Sequence, residues 1–143
     1  MSHHVDPTRE QFEAFKALPR DTPINMVNLV QFRDLANYPG DHVLARDGLT
    51  GAQAYAQYGN HTAPILKKVG GAVIWRGSFD ATLIGAQDEA WDAMFIVRYP
   101  GANAFLAMVT DPEYQKHVVH RQAAVLTSRL IRATPSDAQD RFA

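Results

Sequence analysis

Two strand-like stretches, each apolar on both sides, constrain this chain more than anything else in it. In INMVNLVQFR, residues 24–33, alternate side chains fall on opposite faces: Val27 and Leu29 share one, and Met26, Asn28, Val30 and Phe32 share the other. In AWDAMFIVRYP, Trp91, Ala93, Phe95, Val97 and Tyr99 face one way, and Asp92, Met94, Ile96 and Arg98 face the other. A sheet that leaves one face to water alternates apolar and polar residues, and these stretches do not. Large side chains left in water would each forfeit about 1.5–3 kcal/mol. Both faces are therefore expected to be covered, one by helices and the other by a second copy's sheet. That predicts a homodimer packed face to face about a twofold axis.

The remaining elements follow from local signals. DPTREQFEAFKALP opens with a cap at Asp6, a first-turn Pro7 and the capping box Thr8-x-x-Gln11, predicting a leading helix within residues 6–19. Residues 34–48, DLANYPGDHVLARDG, carry the Pro, Gly, Asn and Asp of a loop long enough to form a lid or rim, or a plain surface insertion. Thr50-x-x-Gln53 opens a long helix that Gly70-Gly71 ends, with Pro64 predicting a kink near His61. AVIWRGSFDATLIG and AWDAMFIVRYP, joined by AQDE, are expected to form a hairpin, with Gly77 and Asp80 marking a bulge. GANAFLAMV is a short helix. Asp111-Pro112 starts another that runs to about Leu126, SRLIRAT is a last strand, and residues 134–143 are a polar tail. The pattern is α+β: a four-stranded antiparallel sheet with helices on one face and an extra N-terminal helix, all one domain over 1–143.

Bulk composition narrows the function classes. Of the 143 residues 46% are hydrophobic, which suits a self-sufficient core, and the net charge of −1 provides no footprint for nucleic acid. The absence of cysteine removes disulfides and thiolate sites. No apolar run approaches a membrane span, and the N-terminus lacks a signal-peptide pattern, so a cytoplasmic protein without membrane partners is expected. No nucleophile elbow, phosphate loop or dinucleotide fingerprint is present.

Several motifs taken together, YAQYGNHTAPILKKVGGAVIWRG, a strand ending in RYP, and DPEYQ, resemble the domain of unknown function 1330 family. The resemblance covers about residues 24–133. It implies a ferredoxin-like protomer within the dimeric α/β-barrel superfamily. The leading helix and the 34–48 insertion depart from the family's short form. Relatives across that superfamily include monooxygenases, isomerases and cyclases, and a shared fold transfers no activity by itself.

The chemistry-bearing residues are few. Within EYQKHVVHR, Glu113, His117 and His120 have the spacing of one helix face and could hold zinc or iron, but no metal or other cofactor is expected from so weak a trio. Tyr114, His117 and Arg121 form a second stripe, in which Arg121 could clamp an oxyanion and a histidine could move a proton. Tyr55, Tyr58 and His61 line the long helix, Asn28 is an amide among apolar neighbours, and Arg98 shares a face with Met94 and Ile96. The catalytic candidates are thus His61, His117, His120 and Arg121. The ligand-binding candidates are Asn28, Tyr55, Tyr58, Arg98 and Tyr114, meeting in an apolar pocket between sheet and helices. Such a site predicts a small-molecule-binding protein. One reading is a cofactor-independent isomerase, cyclase or monooxygenase acting on an aromatic or carbonyl metabolite. The alternative is a non-catalytic ligand-binding or assembly module.

Overall fold

A computed structural model describes residues 3–143. Its helices start where their caps say. Thr8 heads α1 (Arg9–Ala17) and Thr50 heads α2 (Gly51–Lys68). In each, the threonine hydroxyl accepts from the glutamine N–H three residues on, and the glutamine side chain accepts in return from the threonine N–H. The Asp111 carboxylate accepts from the Glu113 N–H at 2.8 Å and heads α4 (Pro112–Ala124), with Pro112 in its first turn. α2 runs unbroken through Pro64.

The strands are β1 (Ile24–Phe32), β2 (Ala72–Gly77), β3 (Ala93–Tyr99) and β4 (Val125–Ala133), and α3 (Ala102–Val109) follows β3. They form one antiparallel sheet in the order β2-β3-β1-β4. After α1, the chain runs strand, helix, strand, strand, helices, strand, which with this order is the ferredoxin-like arrangement. One sheet face carries Ile24, Met26, Val97 and Tyr99 into a core closed by Ile65 of α2, Ala102 and Met108 of α3 and Tyr114 of α4. α1 packs beside it through Phe15, whose ring lies 5.1 Å from that of Phe105 and beneath the Arg132 guanidinium. No helix among the described residues is long and apolar enough to cross a membrane.

Three expectations need correction. The hairpin is shorter than its apolar residues suggest: β2 ends at Gly77, and Leu83 and Ile84 are almost fully exposed (96% and 93%). Entering β3, the Asp92 N–H donates to Val30 O at 2.7 Å and its carboxylate accepts from the Phe32 N–H at 2.8 Å, so ties to β1 extend past Met94, the last residue paired with β2. The bulge lies between Val73 and Trp75, not at Gly77 and Asp80. Finally, α4 stops at Ala124, and β4 begins at the next residue, where Val125 is already extended (φ −89°, ψ 125°).

Among the described residues, no helix covers the other sheet face. Register places Trp75, Ile96, Val27 and Ile131 side by side across all four strands, with Met94 and Leu29 in the next row. Trp75 and Ile131 are about half exposed. Phe95 belongs to the opposite, helix-covered face, where it packs against both halves of the core.

Gly51 is the tightest junction. A Cβ there would meet Arg33 O at 2.1 Å and Ala124 O at 2.9 Å, because the start of α2, the end of β1 and the end of α4 converge on it. These are backbone atoms with little freedom to retreat. Gly51→Ala is expected to cost about 3 kcal/mol in urea denaturation, the upper part of the usual overpacking range; a loss below about 1 kcal/mol would show that the junction relaxes.

Candidate functional site

α2 and α4 lie against each other over the sheet, and their seam has two layers. Nearer the sheet, aromatic rings pack in series: Phe32 on Tyr55, Tyr55 on Tyr58, Tyr58 on Tyr114, with centroids 5.1, 5.4 and 6.0 Å apart. The Tyr58 and Tyr114 hydroxyls are hydrogen-bonded at 3.1 Å. Burial pushes the Tyr55 and Tyr114 phenols well above their ordinary values, so they stay protonated at neutral pH. These rings occupy the space between sheet and helices where the apolar pocket was expected.

At the second layer, His61 of α2 meets His117 and His120 of α4. The His61 and His117 rings are stacked, 3.6 Å apart and within 3° of parallel. His120 lies 5.7 Å from each, again nearly parallel. Each of the three offers a ring nitrogen within 4.8 Å of the others. His61 is exposed, His117 half-buried and His120 buried. One nitrogen of His117, Nδ1, is shut away from solvent without a hydrogen-bond partner.

The 34–48 segment closes the buried end of this cluster. Tyr38 is itself buried, and its hydroxyl is 2.8 Å from Nδ1 of His120. His42 stacks on the Tyr38 ring at 4.7 Å and meets His120 edge-on at 5.8 Å. The segment is held by its backbone: the Ala36 N–H donates to Leu49 O and the Asn37 N–H to Ala123 O, both at 2.9 Å. The Leu44 N–H donates to His42 Nδ1 at 3.0 Å, which leaves the other ring nitrogen of His42 to carry its proton when the ring is neutral. Beside Tyr38 lies an open hollow of about 330 Å³ lined by Asn37, Tyr38, Pro39, Val119, Gln122 and Ala123.

The sequence candidates therefore separate. His61, His117 and His120 come together, and Tyr55, Tyr58 and Tyr114 form the packed layer beneath them. Glu113 leaves the Glu113, His117 and His120 trio: it pairs with Lys116 at 2.9 Å, and His61 stands with the histidines instead. Arg121 turns to the N-terminal stretch. It donates to Val5 O at 2.6 Å and to Ser128 Oγ at 3.3 Å, and its guanidinium is 3.8 Å from the Asp6 carboxylate. Asn28 donates to Met26 O of its own strand at 3.1 Å. Arg98 sits opposite Asn25 and Ala72 on the helix-free sheet face, away from the seam. Tyr38 and His42 were missed; the signal was an aromatic and an imidazole within a loop rich in Pro, Gly, Asn and Asp.

The family model described as Domain of unknown function (DUF1330) matches residues 42–133, more than half the chain. The chain belongs to this family. Crystal structures of the RPA0582 protein, of unknown function, from Rhodopseudomonas palustris are similar throughout. One is 48% identical, covering 95% of this chain and 99% of that one with a TM-score of 0.87. A methylated form is 47% identical, covering 97% and 99%, with a TM-score of 0.90. At that coverage the leading helix and the 34–48 segment fall largely within the matched length. An uncharacterized NIPSNAP-like domain protein from Burkholderia xenovorans, 18% identical over 83% of this chain and 90% of that one with a TM-score of 0.50, shares the fold. Among curated proteins none matches this DUF1330 chain.

Burial lowers the pKa of both His117 and His120, with further lowering from neighbouring imidazoles: His61 acts on His117, and His117, His61 and His42 act on His120. In the unfolded chain these groups titrate near 6.5. The unfolded state therefore binds more protons just below that pH. The stability they contribute is complete above about pH 6.5 and is lost as pH falls towards the folded values. The melting temperature should drop between pH 7.5 and 5, and His120→Gln should flatten that slope. An unchanged slope in the variant would place the acid sensitivity elsewhere.

Proposed function

We propose that this DUF1330 protein is a homodimeric small-molecule-binding protein whose site is the histidine layer of the α2–α4 seam. The observation that carries this reading is the Tyr38 hydroxyl on His120 Nδ1 beside the His61–His117 stack. A phenol bonded to a buried imidazole holds that ring in one orientation, and its neighbours add further ring-nitrogen donors and acceptors. The hollow beside Tyr38 is at the small end of ligand-site sizes, and the amides of Asn37 and Gln122 supply polar contacts on its wall. Flat imidazole faces suit a planar ligand, and ring N–H groups suit a carbonyl or enolate oxygen. The catalytic form of the reading is proton transfer on such a molecule, with His61 or His117 as acid or base and Tyr38 and His120 as the positioning pair.

A metabolite thermal-shift screen tests the site. A hit of this planar, carbonyl-bearing class should bind Tyr38→Phe and His61→Ala at least about 10-fold more weakly than the parent, a loss of about 1.4 kcal/mol or more. A hit whose affinity survives both substitutions binds elsewhere, and the seam then has no part in ligand recognition.

A second reading, an assembly module without chemistry, is favoured by the packed tyrosine layer, which fills the interior. The two readings share the dimer. The row Trp75, Ile96, Val27 and Ile131 supports it, since an uncovered four-strand apolar row is unusual in a monomer. Ile96→Asp is expected to yield monomers in sedimentation equilibrium at micromolar protein, where the parent sediments as a dimer. A parent that stays monomeric would refute sheet-to-sheet packing.

A further inference from the structure

The geometry points to a divalent transition-metal site formed by His61, His117 and His120, and we infer that it takes zinc or a similar imidazole-seeking ion. Three imidazoles from two helices, with no carboxylate among them, are a nitrogen-only donor set. Such a set suits zinc, copper or nickel and disfavours magnesium or calcium. His117 and His120 are three residues apart on α4, so one helical turn fixes their spacing. His61 arrives from the neighbouring helix, and it is exposed.

The nitrogens lie within 4.8 Å of one another, whereas tetrahedral zinc with bonds of about 2.0–2.1 Å holds its ligand atoms roughly 3.3 Å apart. Two stacked, parallel rings cannot both aim in-plane lone pairs at one ion, so the His61–His117 stack must open as the nitrogens draw together. The surrounding structure is already suited to the ion. Tyr38 engages Nδ1 of His120 at 2.8 Å. With that nitrogen donating its proton to the phenol, the lone pair of Nε2 is free, the outer-shell arrangement that orients metal-bound imidazoles elsewhere. The partnerless, solvent-shut Nδ1 of His117 is the kind of buried polar atom that an absent ion can explain. Three protein ligands would leave a fourth position for water or for an anionic oxygen of a ligand.

This inference rests on the seam being the functional site, but it is read with the metal alone. The competing binder on the chain is the adjacent pair His3-His4 near the N-terminus, so the test includes it. Zinc is titrated calorimetrically into chelator-stripped full-length protein at about pH 7.5, where imidazoles are neutral. The expected result is one ion per chain with a dissociation constant of about 1 µM or tighter, weakened at least about 30-fold in His61→Ala and in His117→Ala and about 10-fold in Tyr38→Phe. The double variant His3→Ala, His4→Ala should bind like the parent. Cobalt should give the intense visible bands of a tetrahedral site in the parent and lose them in His61→Ala. Because His61 is exposed, that variant is expected to keep the parent's circular dichroism. No uptake, uptake abolished in the His3/His4 variant, or parent-like binding by both His61→Ala and His117→Ala would overturn the inference. Zinc uptake at this site with no hit in the metabolite screen would leave the inference standing while the ligand reading failed; a hit weakened in Tyr38→Phe and His61→Ala, with no zinc uptake, would do the reverse.

Discussion

The structure is arranged around β1, one of the two central strands of the sheet, hydrogen-bonded to β3 on one side and to β4 on the other. Its alternation decides which residues meet helices and which do not. Ile24, Met26 and Val30 go under the helices and are buried, and Val27 and Leu29 go to the open face. A shift of one residue would exchange these sets, so burial on the helix side fixes the register of the whole sheet. The open face then carries a continuous apolar row as a direct consequence, not as a separate design.

The same strand positions the seam. At its end, the Arg33 N–H donates to Ala124 O at 2.8 Å and the Gly51 N–H donates to Arg33 O at 3.1 Å, so the last turn of α4 and the first turn of α2 are tied to one point. Two helices anchored there must run side by side. That brings Tyr58 to Tyr114 and, one layer out, His61 to His117. The 34–48 segment leaves from the same junction and returns to it through the Leu35–Thr50 bridge, which drops Tyr38 onto His120. The histidine cluster thus depends on backbone contacts gathered around Gly51.

The fold was largely legible because its signals are local. Both capping boxes, the Asp111-Pro112 start and the two-sided apolar pattern of β1 and β3 follow from residues within a few positions of each other. The hairpin was misread because its end is set by pairing across strands: Leu83 and Ile84 look like strand residues, yet the β2–β3 register ends at the Gly77–Met94 pair. The candidate site was legible in part. His117 and His120 share a helix and could be seen as a pair, whereas Glu113, with equally good spacing, found a lysine three residues away. Spacing on one helix says which side chains can meet, not which do.

By itself, the sequence determined the elements, their order and the apolar faces that had to be covered, since these depend on periodicity and on turn chemistry along the chain. It also determined that no thiolate chemistry is available. Only the tertiary structure decided that His61 joins His117, that Arg121 serves the N-terminal stretch, and that Tyr38 and His42 complete the cluster. Those partners stand 56, 116 and 82 positions apart for His61–His117, Arg121–Val5 and Tyr38–His120. No local pattern encodes contacts at that separation, because they arise from how helices pack and where a loop is tied down, and both are settled by burial across the whole chain.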